Sequence, residues 1–255
     1  MVNHLYLPDS QCTQHSPVSH LKAAGNFIVE HQPEVIICAG DFWDMPSLSS
    51  YDKGKKGFEA RRYKHDIEAG LEGMNCLLGP MKKYNSKRRK NNKKQYKPKM
   101  IFTLGNHEER IQRALSSEYT QLEGMIGYQD FKLKEDGWEV IPFLEYYYQD
   151  GVIYTHYVAN DLSGTPKATA KASIEKTMYS VTQGHKQLLD IHTRPVADGR
   201  ILWSIIAGAF YKHDEGYKGP QGNLHWRGII HKVDVNNGEF NPCFISIDSL
   251  EKGYL

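Results

Sequence analysis

Gly40-Asp41-Phe42-Trp43-Asp44 follows the apolar run Val35-Ile36-Ile37-Cys38-Ala39, and Gly105-Asn106-His107-Glu108 follows Met100-Ile101-Phe102-Thr103-Leu104. An apolar, β-branched run that stops at a glycine reads as a strand ending in a tight turn. Asp, Asn and His presented there place oxygen and imidazole donors at the carboxyl edge of an α/β sheet, where such proteins build their sites. Three more runs end in the same way. His4-Leu5-Tyr6-Leu7-Pro8 leads to Asp9, Gly151-Val152-Ile153-Tyr154-Thr155 to His156, and Met178-Tyr179-Ser180-Val181-Thr182 to Gly184-His185. Five strand ends, each delivering a donor, predict one site fed by several strands.

In this order the segments resemble the calcineurin-like metallophosphoesterase superfamily. Its pattern is D-x-H, G-D-x-x-D, G-N-H-D/E, a lone His after a strand, and G-H-x-H. The resemblance covers roughly residues 3–210 and extends to a likeness to small phage-type members, whose tails carry segments like Gly219-Pro220-Gln221-Gly222 and Trp226-Arg227-Gly228. It implies an α+β fold: a β-sandwich flanked by helices, in one domain spanning 1–255. It also implies two divalent metal ions, with Mn²⁺ expected first and Mg²⁺ or Zn²⁺ as alternatives. Asp41 would bridge the ions. Asn106, His156 and His185 would complete one ion's ligands, and Asp9 with positions 11 and 187 the other's. The resemblance gives His107 the role of acting on the phosphoryl group and Asp44 that of orienting it. Two positions depart from the pattern, since Gln11 and Gln187 stand where the family has His. Neutral amide oxygens are weaker donors than imidazole to zinc, so this half of the site is expected to be weak or manganese-dependent.

Composition sets outer limits. A chain of 255 residues with 40% hydrophobic and 24% charged residues suits a single globular domain. No apolar run reaches membrane-spanning length. The first strand begins at residue 4, which leaves no room for a signal peptide, and the four cysteines have no framework spacing, so a cytoplasmic location is expected.

The net charge of +2 conceals a segregation. Residues 82–99 hold ten Lys or Arg and no acid, and the rest of the chain is net acidic. We read this stretch as a basic loop insertion, rich in Asn and carrying Pro98, with Lys87, Arg88, Arg89 and Lys90 as candidate nucleic-acid contacts.

Helical spacing predicts helices over residues 18–31, stopped by Pro33, and 58–78, stopped by Gly79-Pro80. A shorter helix starts at His107, and another covers 168–174. Strands are expected over 140–147, 152–156, 178–182, 201–210, 226–235 and 240–247, with Asn236-Asn237-Gly238 as a hairpin turn.

Three functions remain open. The first is a metal-dependent phosphodiesterase acting on DNA or a nucleotide. The second is a phosphomonoesterase acting on a small or nucleotide phosphate. The third is a non-catalytic nucleic-acid-binding module on a decayed fold. Serine/threonine protein phosphatases fit poorly, because Met45-Pro46 follows Asp44 where they carry Arg-Gly.

Overall fold

The computed structural model describes residues 2–215 and 218–255. Strand β1 (Val2–Leu7), helix α1 (Ser19–His31) and strand β2 (Val35–Cys38) form the expected βαβ unit, and β1 and β2 pair in parallel. α1 ends as Gln32 turns left-handed and donates its N–H to the Ile28 carbonyl, one residue before Pro33. The long helix α2 (Tyr63–Lys90) then returns the chain to β3 (Lys99–Thr103), parallel to β2. Past α3 (Arg110–Leu115) and two short 3₁₀ turns comes β4 (Glu139–Ile141), parallel to β3. β5 (Tyr147–Gln149), β6 (Val152–Thr155), helix α4 (Ala170–Thr177), β7 (Ser180–Gln183), β8 (Leu189–Pro195) and β9 (Ile201–Ala207) make a second sheet. The short α5 (Gly219–Gly222) precedes β10 (Gly228–Asn236) and β11 (Glu239–Ser246), which add an antiparallel edge to the first sheet, and α6 (Ile247–Tyr254) follows. The two sheets run β11-β10-β1-β2-β3-β4 and β5-β6-β7-β9-β8, so the protein is an α+β fold with two mixed sheets.

The central strands are apolar throughout because both of their faces are covered. Leu5, Leu7, Ile36, Cys38 and Phe102 point toward α1 and α2. Their neighbours Tyr6, Ile37, Ala39 and Ile101 point the other way and pack on Val152, Tyr154, Ile205 and Ala207 of the second sheet. α4 lies against β7, β8 and β9 of that second sheet. Among the described residues no helix is long and apolar enough to cross a membrane.

The expected stop at Gly79-Pro80 does not occur. α2 runs through Pro80 to Lys90, so residues 82–90 are helical and only 91–98 form a connecting loop. An interior proline costs a helix about 3 kcal/mol. Here the buried face of Ile67, Met74, Leu77, Leu78 and Met81 holds the helix against the core through that point. Beyond it, Asn85 exchanges two hydrogen bonds with the backbone of Tyr96, at 2.7 and 2.9 Å, and four cations in the last turn complement the helix dipole.

Other boundaries shift for local reasons. The expected strand 140–147 is split by Pro142, which cannot donate to a ladder. Met178, expected in a strand, is the left-handed cap of α4, its N–H bonded to the Ile174 carbonyl. The hairpin is as expected: Asn237 and Gly238, both at positive φ, join β10 to β11.

Candidate metal centre

The donors of the first sheet follow β1 (Asp9), β2 (Asp41) and β3 (Asn106), and those of the second follow β6 (His156) and β7 (His185). The loops after β1 and β2 are tied together, with Gln11 N–H bonded to the Asp41 carbonyl at 2.8 Å and Cys12 N–H to Phe42 at 2.7 Å. Two motif glycines make room for carboxylates. A Cβ on Gly105 would stand 2.2 Å from Asp41 Oδ1, and one on Gly184 would stand 2.2 Å from Asp9 Oδ1. Gln11, Asp41, Met45, His185 and Gln187 all adopt left-handed φ between 41° and 66°. Such backbone is unfavourable for side-chain-bearing residues, and it gathers where side chains must be aimed.

Asp41, His156 and His185 each offer a ligand atom within 4.8 Å of the others. Asn106 Oδ1 lies between them, 2.9 Å from His156 Nε2 and 2.7 Å from His185 Nδ1. His156 Nδ1 is 2.7 Å from the Ala39 carbonyl, which can only accept, so Nδ1 carries the hydrogen. The lone pair of a neutral His156 Nε2 then faces two further acceptors, Asn106 Oδ1 and Asp41 Oδ2 at 3.3 Å. Three lone pairs converging in a buried place need a cation. A proton can serve: burial opposes the His156 imidazolium, but the Asp41 carboxylate outweighs it and raises the pKa to about 9. A divalent ion serves the same geometry with His156 neutral, and the Nδ1–carbonyl bond is the usual outer partner of a metal-bound imidazole. These four residues therefore fit a metal.

Asp41 is buried, which works against its charge, yet the imidazoles of His107 and His156 hold its carboxyl well below the usual carboxylate range. Its Oδ1 accepts the His107 N–H at 2.8 Å. For Asp9, burial and then the charge on Asp41 push the pKa up to about 7. Asp9 Oδ1 accepts the His185 N–H at 3.0 Å, while its Oδ2 and both amide atoms of Gln11 are buried without a partner among the described residues.

Gln187 departs from the simple picture. Its Oε1 accepts from Tyr211 Oη at 3.0 Å and from Lys218 Nζ, which lies 3.1 Å from Tyr211 Oη. Burial lowers the Lys218 pKa, with Glu215 and Asp9 acting in the opposite sense. This half of the site holds a side-chain cation against one of its expected ligands, so it does not fit a second divalent ion as the Asp41 half fits the first.

His107 and Asp44 form the expected pair, with Nδ1 2.8 Å from Asp44 Oδ1 and 2.9 Å from the Asp44 carbonyl. Arg110 was not anticipated. Its guanidinium donates to the Asp44 carbonyl at 2.6 Å and to His107 Nε2 at 3.1 Å. Arginine only donates, so His107 carries its hydrogen on Nδ1 in this arrangement. Burial disfavours a charged His107, but the Asp41 and Asp44 carboxylates more than offset it and raise its pKa. The one sequence signal for Arg110 is its spacing of three from His107 at a helix start. Gln11, Asp44 and His107 also line a cavity of about 620 Å³ with Lys55, Arg61 and Arg110, faced by Asp52 and Glu215.

Glu108, the last residue of the Gly105-Asn106-His107-Glu108 motif, has a structural role. Its buried carboxylate accepts the N–H groups of Asp41, Phe42 and Gly105, each at 2.8 Å, and of Trp43 at 3.1 Å. It clamps the β2 and β3 turns together.

Lys87, Arg88, Arg89 and Lys90 are not brought to the centre. Asp66, near the start of α2, bonds the Ser47 N–H just beyond Asp44, whereas Asn85 bonds Tyr96. Those two points are about 28 Å apart along the helix. Tyr96 Oη in turn reaches the Pro33 carbonyl, at the opposite edge of the sheet.

No family model matches the chain. Two phage proteins are similar to it over most of their length. Gene 54 protein of Mycobacterium phage D29 is 26% identical over 240 residues, covering 89% of this chain and 87% of its own. Gene 54 protein of Mycobacterium phage L5 is 26% identical over 237 residues, with the same coverage. Neither name states an activity.

Proposed function

We propose that this protein is a metal-dependent phosphoesterase of the calcineurin-like type, hydrolysing a phosphodiester of DNA or a nucleotide. The observation that carries the reading is His156 Nε2, directed at Asn106 Oδ1 and Asp41 Oδ2 while its Nδ1 is committed to the Ala39 carbonyl. Asp41, Asn106, His156 and His185 would hold a divalent ion, Mn²⁺ first among the candidates. Such an ion supplies Lewis-acid charge toward a phosphoryl oxygen and acidifies water.

The chain's own residues supply the rest. Asp44 fixes the His107 ring, leaving Nε2, 3.7 Å from Asp41 Oδ2, as the atom that exchanges a proton with the substrate. Arg110 stands beside Nε2 with donors suited to a phosphoryl oxygen, where the protein phosphatases use an arginine that this sequence lacks after Asp44. The cavity next to His107 is of ligand size. Three cations and three acids line it, so it admits the group esterified to phosphate without selecting strongly for charge.

Nucleic-acid contact through Lys87, Arg88, Arg89 and Lys90 is a separate proposal, supported by their place in an exposed, acid-free helix end. It lies across the molecule from the centre and does not feed it.

The test is a substrate panel for the chelator-stripped protein. It comprises bis-p-nitrophenyl phosphate, p-nitrophenyl phosphate and single-stranded DNA, each with Mn²⁺, Mg²⁺ or Zn²⁺. Faster turnover of the diester with Mn²⁺ is expected. Preference for the monoester would establish the phosphomonoesterase, and no turnover of any substrate would reject the enzyme.

A further inference from the structure

We propose that the ammonium group of Lys218 takes the place of a second metal ion, so that the centre works with one divalent ion and one lysine. The inference rests on the metal reading of Asp41, Asn106, His156 and His185. The resemblance puts a histidine at position 187 to hold a second ion, and the chain has Gln187 instead. Its Oε1 accepts from Lys218 Nζ, and Tyr211 Oη, 3.0 Å from that oxygen and 3.1 Å from Nζ, braces the pair. A glutamine oxygen suits this partner because it accepts two donors at once.

Charge favours the same assignment. Of the carboxylates aimed at the ligand positions, Asp9 and Asp41 are buried, at 0% and 1% exposure, whereas Glu108 is spent on backbone N–H groups and Asp44 on His107. One divalent ion near Asp41 offsets that pair, and the lysine adds a positive charge toward an anionic phosphoryl group. Adding a second divalent ion would press it against the ammonium between two neutral amides, Gln11 and Gln187, which offer no charge to offset the repulsion. Both glutamine substitutions and the lysine then have a single explanation. Positions 11 and 187 lack the imidazoles that would hold an ion, in the half of the centre that already contains a cation. The role of Lys218 is to stabilise charge on the substrate, beside Asp9 and across from the ion.

The experiment measures Mn²⁺ per chain by elemental analysis after equilibrium dialysis, together with hydrolysis of bis-p-nitrophenyl phosphate. It compares the wild type with Lys218→Met and Lys218→Arg. The expected wild-type result is one ion per chain. Lys218→Met should keep that ion and lose activity by at least about tenfold, and Lys218→Arg should restore much of it. Two ions per wild-type chain, or a Lys218→Met variant as active as wild type, would overturn the lysine assignment while leaving the metal centre standing. No ion in the wild type would instead remove the centre itself, and the lysine's role with it.

Discussion

Glu108 and Asp41 are locked together from both sides. Glu108 Oε2 accepts the Asp41 N–H at 2.8 Å, and Asp41 Oδ1 accepts the N–H of His107, the residue before Glu108, at the same distance. The turns after β2 and β3 are thereby one rigid unit, and the Asp41 carboxylate is aimed before any ligand arrives.

Glu108→Gln tests that unit. Whichever oxygen becomes an NH₂ group, two buried backbone N–H groups lose their acceptor. The variant should be destabilised by about 2–4 kcal/mol in urea unfolding. A change within about 0.5 kcal/mol, typical of surface substitutions, would show that the clamp is dispensable.

His107→Ala separates catalysis from ligation. It keeps the backbone N–H to Asp41 and removes only the imidazole, so ion content should be unchanged. Hydrolysis should fall by about 10²–10⁴-fold, the usual contribution of a positioned acid or base. Loss of the ion would move His107 into the ligand set.

Much of this centre was legible in the sequence because each donor follows a short apolar run that ends in a turn, and local sequence specifies such turns. Asp9, Asp41, Asn106, His156 and His185 meet where that pattern placed them. The partners that complete them depend on tertiary packing. Nothing near Lys218 in the sequence points to Gln187, and Glu108 looks like any acid in a helix's first turn. The continuation of the long helix to Lys90 was missed because Pro80 is a local stop signal that the packing of Leu77, Leu78 and Met81 overrides. β8 escaped notice because it is an edge strand with alternating exposure, and α6 because its start at Ser246, whose side chain caps Ser249 N–H, continues an apolar strand without a break.

His20 gives a pH dependence outside the centre. It is 2% exposed, and burial lowers its pKa from 6.5 to about 4, while Nε2 bonds the Phe210 carbonyl at 2.9 Å. The folded state keeps it neutral, and the unfolded chain takes up a proton below pH 6.5. Its contribution is therefore complete above pH 6.5 and is lost as pH falls toward 4, a change of about 3 kcal/mol. Between pH 6.5 and 4.5, the urea midpoint of chelator-treated His20→Gln should fall less steeply than that of the wild type. Parallel slopes would remove His20 from the acid response.

Replacing Lys87, Arg88, Arg89 and Lys90 by serine should weaken duplex DNA binding and reduce its log–log salt slope. Lys87, Arg89 and Lys90 are exposed, whereas Arg88 donates to the Lys94 carbonyl at 2.7 Å and lies over the Tyr84 ring. Three free contacts correspond to a slope change of about 3 units. An unaltered slope in a fluorescence anisotropy titration would leave this helix end as solvated surface.

The central claim is that Asp41, Asn106, His156 and His185 hold an ion on which hydrolysis depends. The most direct measurement is the rate of bis-p-nitrophenyl phosphate hydrolysis as Mn²⁺ is added back to stripped protein, for the wild type and Asp41→Asn. The account predicts a rate that rises from zero and saturates in the wild type and stays near zero in the variant. Hydrolysis that is independent of added metal, or that survives Asp41→Asn, would contradict it.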